Sequence, residues 1–79
     1  MPVLRLFASA REAAGTGRAE IDGATVGDVL RAATERFGDQ FEAVLGTSKV
    51  WVNGEPANAE DSVGSDDEVA VLPPVSGGA

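Results

Sequence analysis

One stretch of this chain keeps a helical hydrophobic period far longer than any other. TVGDVLRAATERF, residues 25–37, carries apolar side chains at Val26, Val29, Leu30, Ala33 and Phe37, a spacing that gathers them on one face of an α-helix. Thr25 supplies the hydroxyl that an N-cap needs, and Asp28 stands three positions on, a variant of the capping box. Arg31 and Arg36 fall in the C-terminal half, where positive charge suits the helix dipole. Gly38 is placed for a left-handed residue just past the end. A single amphipathic helix cannot cover its own apolar face. In a chain of 79 residues, the surface it packs on must come from the short segments to either side.

Those segments read as strands. VLRLFA (3–8) is apolar and led by a β-branched residue; Leu4, Leu6 and Ala8 would share one face, with Val3, Arg5 and Phe7 on the other. SAREAAG (9–15) suits a turn or short helix, which Gly15 and Gly17 break. RAEID (18–22) is a weak strand anchored by Ile21, so that 3–8 and 18–22 form a first hairpin. FEAVL (41–45) is a helical turn or an irregular apolar plug. KVWVNGEPA is strand, turn and short strand, because Asn53-Gly54 tolerates the positive φ that a tight hairpin requires at both central positions. Pro56 has no amide donor and marks an edge. A polar stretch turning near Ser65-Asp66-Asp67 leads into EVAVLP, in which Val69 and Val71 alternate with Ala70 and Leu72. The order β-β-α-β-(β)-β is too short for repeated parallel βαβ crossovers. It predicts an α+β roll, one main helix (about 25–37) packed across a mixed sheet, as a domain over 1–75 followed by a flexible tail over 76–79.

Composition removes most chemistries. The chain has no cysteine and no histidine, which excludes disulfides, a thiolate nucleophile and the usual zinc ligand sets. Serines lack a histidine to activate them. Asp66, Asp67 and Glu68 fall on a turn, where a solvated cluster outweighs an acid–base pair. Asp61, Asp66 and Glu68 do not match a calcium loop, so no metal site is expected. Gly15-Thr16-Gly17 lacks the lysine of a phosphate loop and reads as a turn. Thirteen acidic residues against six basic ones give a net charge of −7. With the basic residues scattered singly, neither nucleic acid nor an anionic membrane is an expected partner. No stretch matches a signal peptide or a membrane span, and the protein is expected in the cytoplasm. Trp51 suits a core or half-buried position. Phe7, Trp51, Leu72 and Pro74 could belong to the core or to an exposed apolar patch for a partner.

What is left is the main chain's own carboxyl end. The sequence closes on VLPPVSGGA. Two glycines without Cβ atoms can pass extended through a channel that larger residues would block, and a carbonyl there is open to activation and attack. Pro73-Pro74 would stiffen the exit from the last strand. The side chains offer no self-sufficient active site, so the reactive group would be the terminus.

At this point the sequence resembles a known family. VLRLFASAREAAGT, the helix TVGDVLRAATERF, VWVNGE and DDEVAVLPPVSGG together resemble the small subunit of molybdopterin synthase (the MoaD type), within the ubiquitin-like sulfur carriers that include ThiS. The resemblance implies a β-grasp, ubiquitin-like fold. It implies that an E1-like adenylyltransferase of the MoeB/ThiF type uses ATP and magnesium to adenylate the terminal glycine. A sulfur donor (a rhodanese or cysteine desulfurase) then displaces AMP to leave a thiocarboxylate. The large subunit of molybdopterin synthase, or another sulfur-accepting synthase, would receive the sulfur. The chain would bind no cofactor itself and would not be catalytic alone. Mapped here, Gly78 is the reactive residue and Gly77 gives it access. Ala79 departs from the pattern: removal by a tail-trimming peptidase is the expectation, with activation at Ala79 itself, or no activation, as the alternatives. The surface beside the tail, including Phe7, Leu72, Pro74 and Val75, should lie against the partner. Carriers for cysteine, thiazole or a sulfur-containing natural product share the same tail, and a ubiquitin-like binding module that is never activated is the contrasting expectation.

Overall fold

The computed structural model describes residues 1–74. In chain order its elements are β1 (Val3–Leu6), α1 (Ala8–Ala14), β2 (Arg18–Glu20), α2 (Val26–Phe37), α3 (Asp39–Leu45), β3 (Lys49–Val52), β4 (Glu55–Pro56) and β5 (Glu68–Leu72). The periodic segment is helical over its predicted length. Thr25 caps α2, its hydroxyl accepting the Asp28 N–H at 3.1 Å. The amides of Val26 and Gly27 donate to the carbonyls of Asp61 and Ala59, both at 2.9 Å. The first-turn donors that no helix can satisfy internally therefore anchor the 57–61 loop. The capping box is only half made: the Asp28 carboxylate lies 3.8 Å from Arg31.

Gly38 departs from the left-handed cap expected of it. Its φ of 95° is positive, but its ψ of −168° is extended, a combination that glycine alone adopts readily. The reason is that it serves two helices, ending α2 and preceding α3. The apolar plug at 41–45 is thus part of a helix, and Phe37 meets Phe41 edge to face across the corner with ring centroids 5.4 Å apart. Residues 9–15 are likewise helical, and Gly15 (φ 78°) ends α1 with its N–H on the Arg11 carbonyl.

The five strands form one mixed sheet in the order β2-β1-β5-β3-β4. β1 pairs antiparallel with β2 and parallel with β5, while β3 pairs antiparallel with both β5 and β4. Asn53 (φ 51°) and Gly54 (φ 86°) make the predicted tight turn, and Pro56 lies on the edge strand. This is the β-grasp roll, with α2 across the sheet and two shorter helices beside it. One face of the sheet, carrying Leu4, Leu6, Val69 and Val71, is buried together with Val26, Val29 and Ala33 of α2. Phe41 is the largest fully buried side chain.

Three strand boundaries differ from expectation; β5 closes at Leu72, one residue before Pro73, which has no amide hydrogen to pair. β1 ends at Leu6, not at residue 8, because the chain turns through Ala8 at φ 50° into α1; Ala8 is exposed and does not extend the Leu4–Leu6 face. β2 ends at Glu20, although Ile21 is still buried and its N–H donates to the Pro2 carbonyl. The tail expected at 76–79, and the boundary placed at residue 75, lie outside the described residues.

Candidate functional site

The helices cover one face of the sheet and leave the other open. Alternation puts Arg5 and Phe7 of the first strand segment on that open face, with Ala70 and Leu72 of β5 and Lys49 and Trp51 of β3. The register sets Lys49 opposite Leu72 and Trp51 opposite Ala70. Phe7 is the last extended residue before the turn at Ala8, and 41% of it is exposed. Beside it the described chain ends at Pro73-Pro74. The result is an open apolar groove of about 590 Å³ whose walls include Phe7, Trp51, Leu72, Pro73 and Pro74. Thr47 and Lys49 also line it.

The choice between core and patch for Phe7, Trp51, Leu72 and Pro74 is therefore resolved toward the patch. None belongs to the buried core; Trp51 and Leu72 are half-buried and Pro74 is exposed. Sequence reasoning missed Lys49, Thr47, Ala8 and Pro73 in the same groove. Only the β3–β5 register reveals Lys49 as a neighbour of Leu72, and no local pattern encodes that pairing. Of the other predicted site residues, Val75, Gly77, Gly78 and Ala79 lie outside the described residues. Pro74 places their point of departure in the groove wall.

The polar groups near this face hold structure. The Arg5 guanidinium lies 3.3 Å from the Glu68 carboxylate and 5.9 Å from the centre of the Phe7 ring, within cation–π range. The acidic cluster before β5 is a clamp. Asp67 accepts from the Gly64 N–H at 2.8 Å and the Asn53 side-chain Nδ2 at 2.9 Å, and the Asn53 side-chain Oδ1 accepts from the Glu68 N–H at 3.0 Å. The Gly64 bond first, and the Asn53 bond second, hold the Asp67 carboxyl below its ordinary value of 3.8. Asp61 accepts the Asn58 N–H at 2.8 Å. Gly15-Thr16-Gly17 is a turn, the Thr16 hydroxyl donating to the Arg18 carbonyl at 3.0 Å. Among the described residues no group of three or more acidic side chains could hold a metal ion. None of their helices is long and apolar enough to cross a membrane.

The groove wall runs to Pro74, and the sequence continues from there to Gly77 and Gly78. The ThiS family model matches residues 4–78. The chain is 41% identical to small archaeal modifier protein 1 of Haloferax volcanii, over 94% of this chain and 97% of that protein. A putative molybdopterin converting factor subunit 1 from Pyrococcus furiosus superposes with a TM-score of 0.82 at 26% identity, covering 94% of this chain and 97% of that one. The protein–protein complex of subunits 1 and 2 of the molybdopterin-converting factor from Helicobacter pylori contains a chain with a TM-score of 0.71 at 20% identity, covering 94% of this chain and 93% of that one; at that identity it speaks for the fold alone. A match that spans almost the whole chain and includes both tail glycines places this protein in the ThiS family of ubiquitin-like sulfur carriers.

Proposed function

We propose that the protein carries sulfur on its C-terminal glycine and donates it, as the small subunit of a synthase, in molybdopterin formation. The observation that carries this reading is the continuity of the family match through Gly77 and Gly78, with an exposed apolar groove at the base of that tail. Ala79 follows Gly78 in the sequence, and a peptidase first cleaves the bond between them. An E1-like enzyme then joins the Gly78 carboxylate to the α-phosphate of ATP, with magnesium, releasing pyrophosphate. A sulfide equivalent from a donor enzyme attacks the acyl carbon, AMP leaves, and a thiocarboxylate remains. Phe7, Leu72 and Pro74, with Val75, hold the domain against the large subunit while Gly77 and Gly78 enter its active site. The 26% identity to a putative molybdopterin converting factor subunit 1 from Pyrococcus furiosus supports this pathway.

The test is the intact mass of untagged protein purified from its native cells, before and after incubation with an E1-like enzyme, ATP, magnesium and sulfide. Loss of alanine followed by exchange of one oxygen for sulfur is expected. Alkylation selective for thiocarboxylates separates that product from oxidation of Met1 or Trp51. An unchanged mass with Ala79 retained would leave a binding module. The similarity to a protein called a modifier favours a second reading, in which the activated Gly78 carbonyl is taken by an amine of another protein. That reading predicts an amide-linked adduct in the same incubation when a protein acceptor is supplied.

A further inference from the structure

Thirteen acidic side chains outnumber the six basic ones, yet no acidic residue lines either of two adjoining recesses. One is the apolar groove. The other runs across β1 and the turn into β2, and Arg5, Arg11, Thr16 and Arg18 line it. Phe7 belongs to both. Three of the chain's six basic residues thus converge beside the groove, and a fourth, Lys49, lines the groove itself.

This clustering works against stability. Arg5 and Arg18 stand directly opposite in the antiparallel β1–β2 register, and like charges so placed repel. Glu68 offsets Arg5. Among the described residues, no carboxylate lies within ion-pair distance of Arg11, Arg18 or Lys49. Arg11 folds back over the following turn: a Cβ at Gly17 would come within 3.4 Å of its Nε. A sequence rich in carboxylates could have neutralised this corner and did not. Local rules broken without a local gain are expected where a surface serves a partner.

We propose that this face docks an acidic segment of a partner protein. An apolar side chain of that segment enters the groove beside Phe7 and Trp51, and its carboxylates reach Arg11, Arg18 and Lys49. The inference rests on reading the groove as the partner-facing surface and adds the charge of what it accepts. Elsewhere the surface of a protein with net charge −7 repels such a segment, so the cationic corner also fixes the orientation of approach.

Two synthetic peptides test this on the full chain labelled with nitrogen-15. One has a leucine flanked on each side by glutamates, and its counterpart carries lysines. The acidic peptide should shift the amide signals of Phe7, Arg18, Lys49 and Trp51 and bind at least about fivefold more tightly than the basic one. Arg18→Glu should remove that preference, whereas Arg31→Glu, the same change of charge on α2, should keep it. Because Arg18→Glu also sets opposite charges across β1 and β2, it should raise the melting temperature while it lowers binding. A merely structural Arg18 would lose stability instead. Equal response to both peptides, shifts confined to other faces, or loss of preference in Arg31→Glu as well would overturn the proposal. So would shifts at Thr16 and Arg18 with inorganic phosphate but none with the acidic peptide, which would assign the corner to a small anion. ATP–pyrophosphate exchange by an E1-like enzyme with the chain ending at Gly78 tests the carrier reading separately, so either idea can fail while the other stands.

Discussion

Leu72 and Asp67 show how neighbouring residues of one strand region divide between docking and stability. Leu72 is half-buried on the open sheet face and lines the groove, while Val71 beside it is completely buried. Leu72→Glu should therefore weaken partner association by about tenfold or more, in the manner of a residue central to an interface, and leave the circular-dichroism spectrum of the free protein unchanged. Parallel loss of helix signal would put Leu72 in the core. Asp67 acts on the fold. Its carboxyl titrates below the ordinary 3.8 because Gly64 and Asn53 donate to the charged form, so the folded state binds fewer protons than the unfolded one. That contribution is complete above 3.8 and disappears as pH falls through the lower folded value. In Asp67→Asn, melting temperatures measured against pH should lie below wild type at neutral pH, and the gap should close in acid.

Elements whose signals are local were legible in the sequence. α2 announces itself through period and cap, and Thr25→Ala should cost about 1 kcal/mol in urea titration, since it strands the Asp28 N–H now bonded to the hydroxyl. The Asn53-Gly54 turn needed only the φ tolerance of its two residues. α3 was ambiguous because seven residues carry too little period to separate a helix from an apolar plug, and because Gly38 reads as a terminator although it also begins the next helix. β1 was overextended for a related reason: nothing in an alanine foretells a φ of 50°. At the site, Phe7, Leu72 and Pro74 stood out as apolar residues near the tail. The arginine corner and Lys49 did not, because Arg5, Arg11 and Arg18 look scattered until β1 folds against β2.

At the scale of the molecule, one core supports everything. A chain of 79 residues has a total stability of about 4–12 kcal/mol at ordinary per-residue values. Phe41→Ala, which empties the largest fully buried position, should cost about 3–5 kcal/mol and leave a measurable unfolded fraction at low denaturant; a loss below ~1 kcal/mol would mean that the helical corner collapses to fill the space. The sheet's topology has a mechanical consequence. β5 lies between a parallel neighbour and an antiparallel one, with Pro73-Pro74 leading away from its end. A pull on the carboxyl end, with the amino end held, runs along β5 and loads its hydrogen bonds to β1 in shear, all at once. An edge strand drawn out sideways would peel bond by bond. Traction on this terminus meets the whole ladder as a single resisting unit.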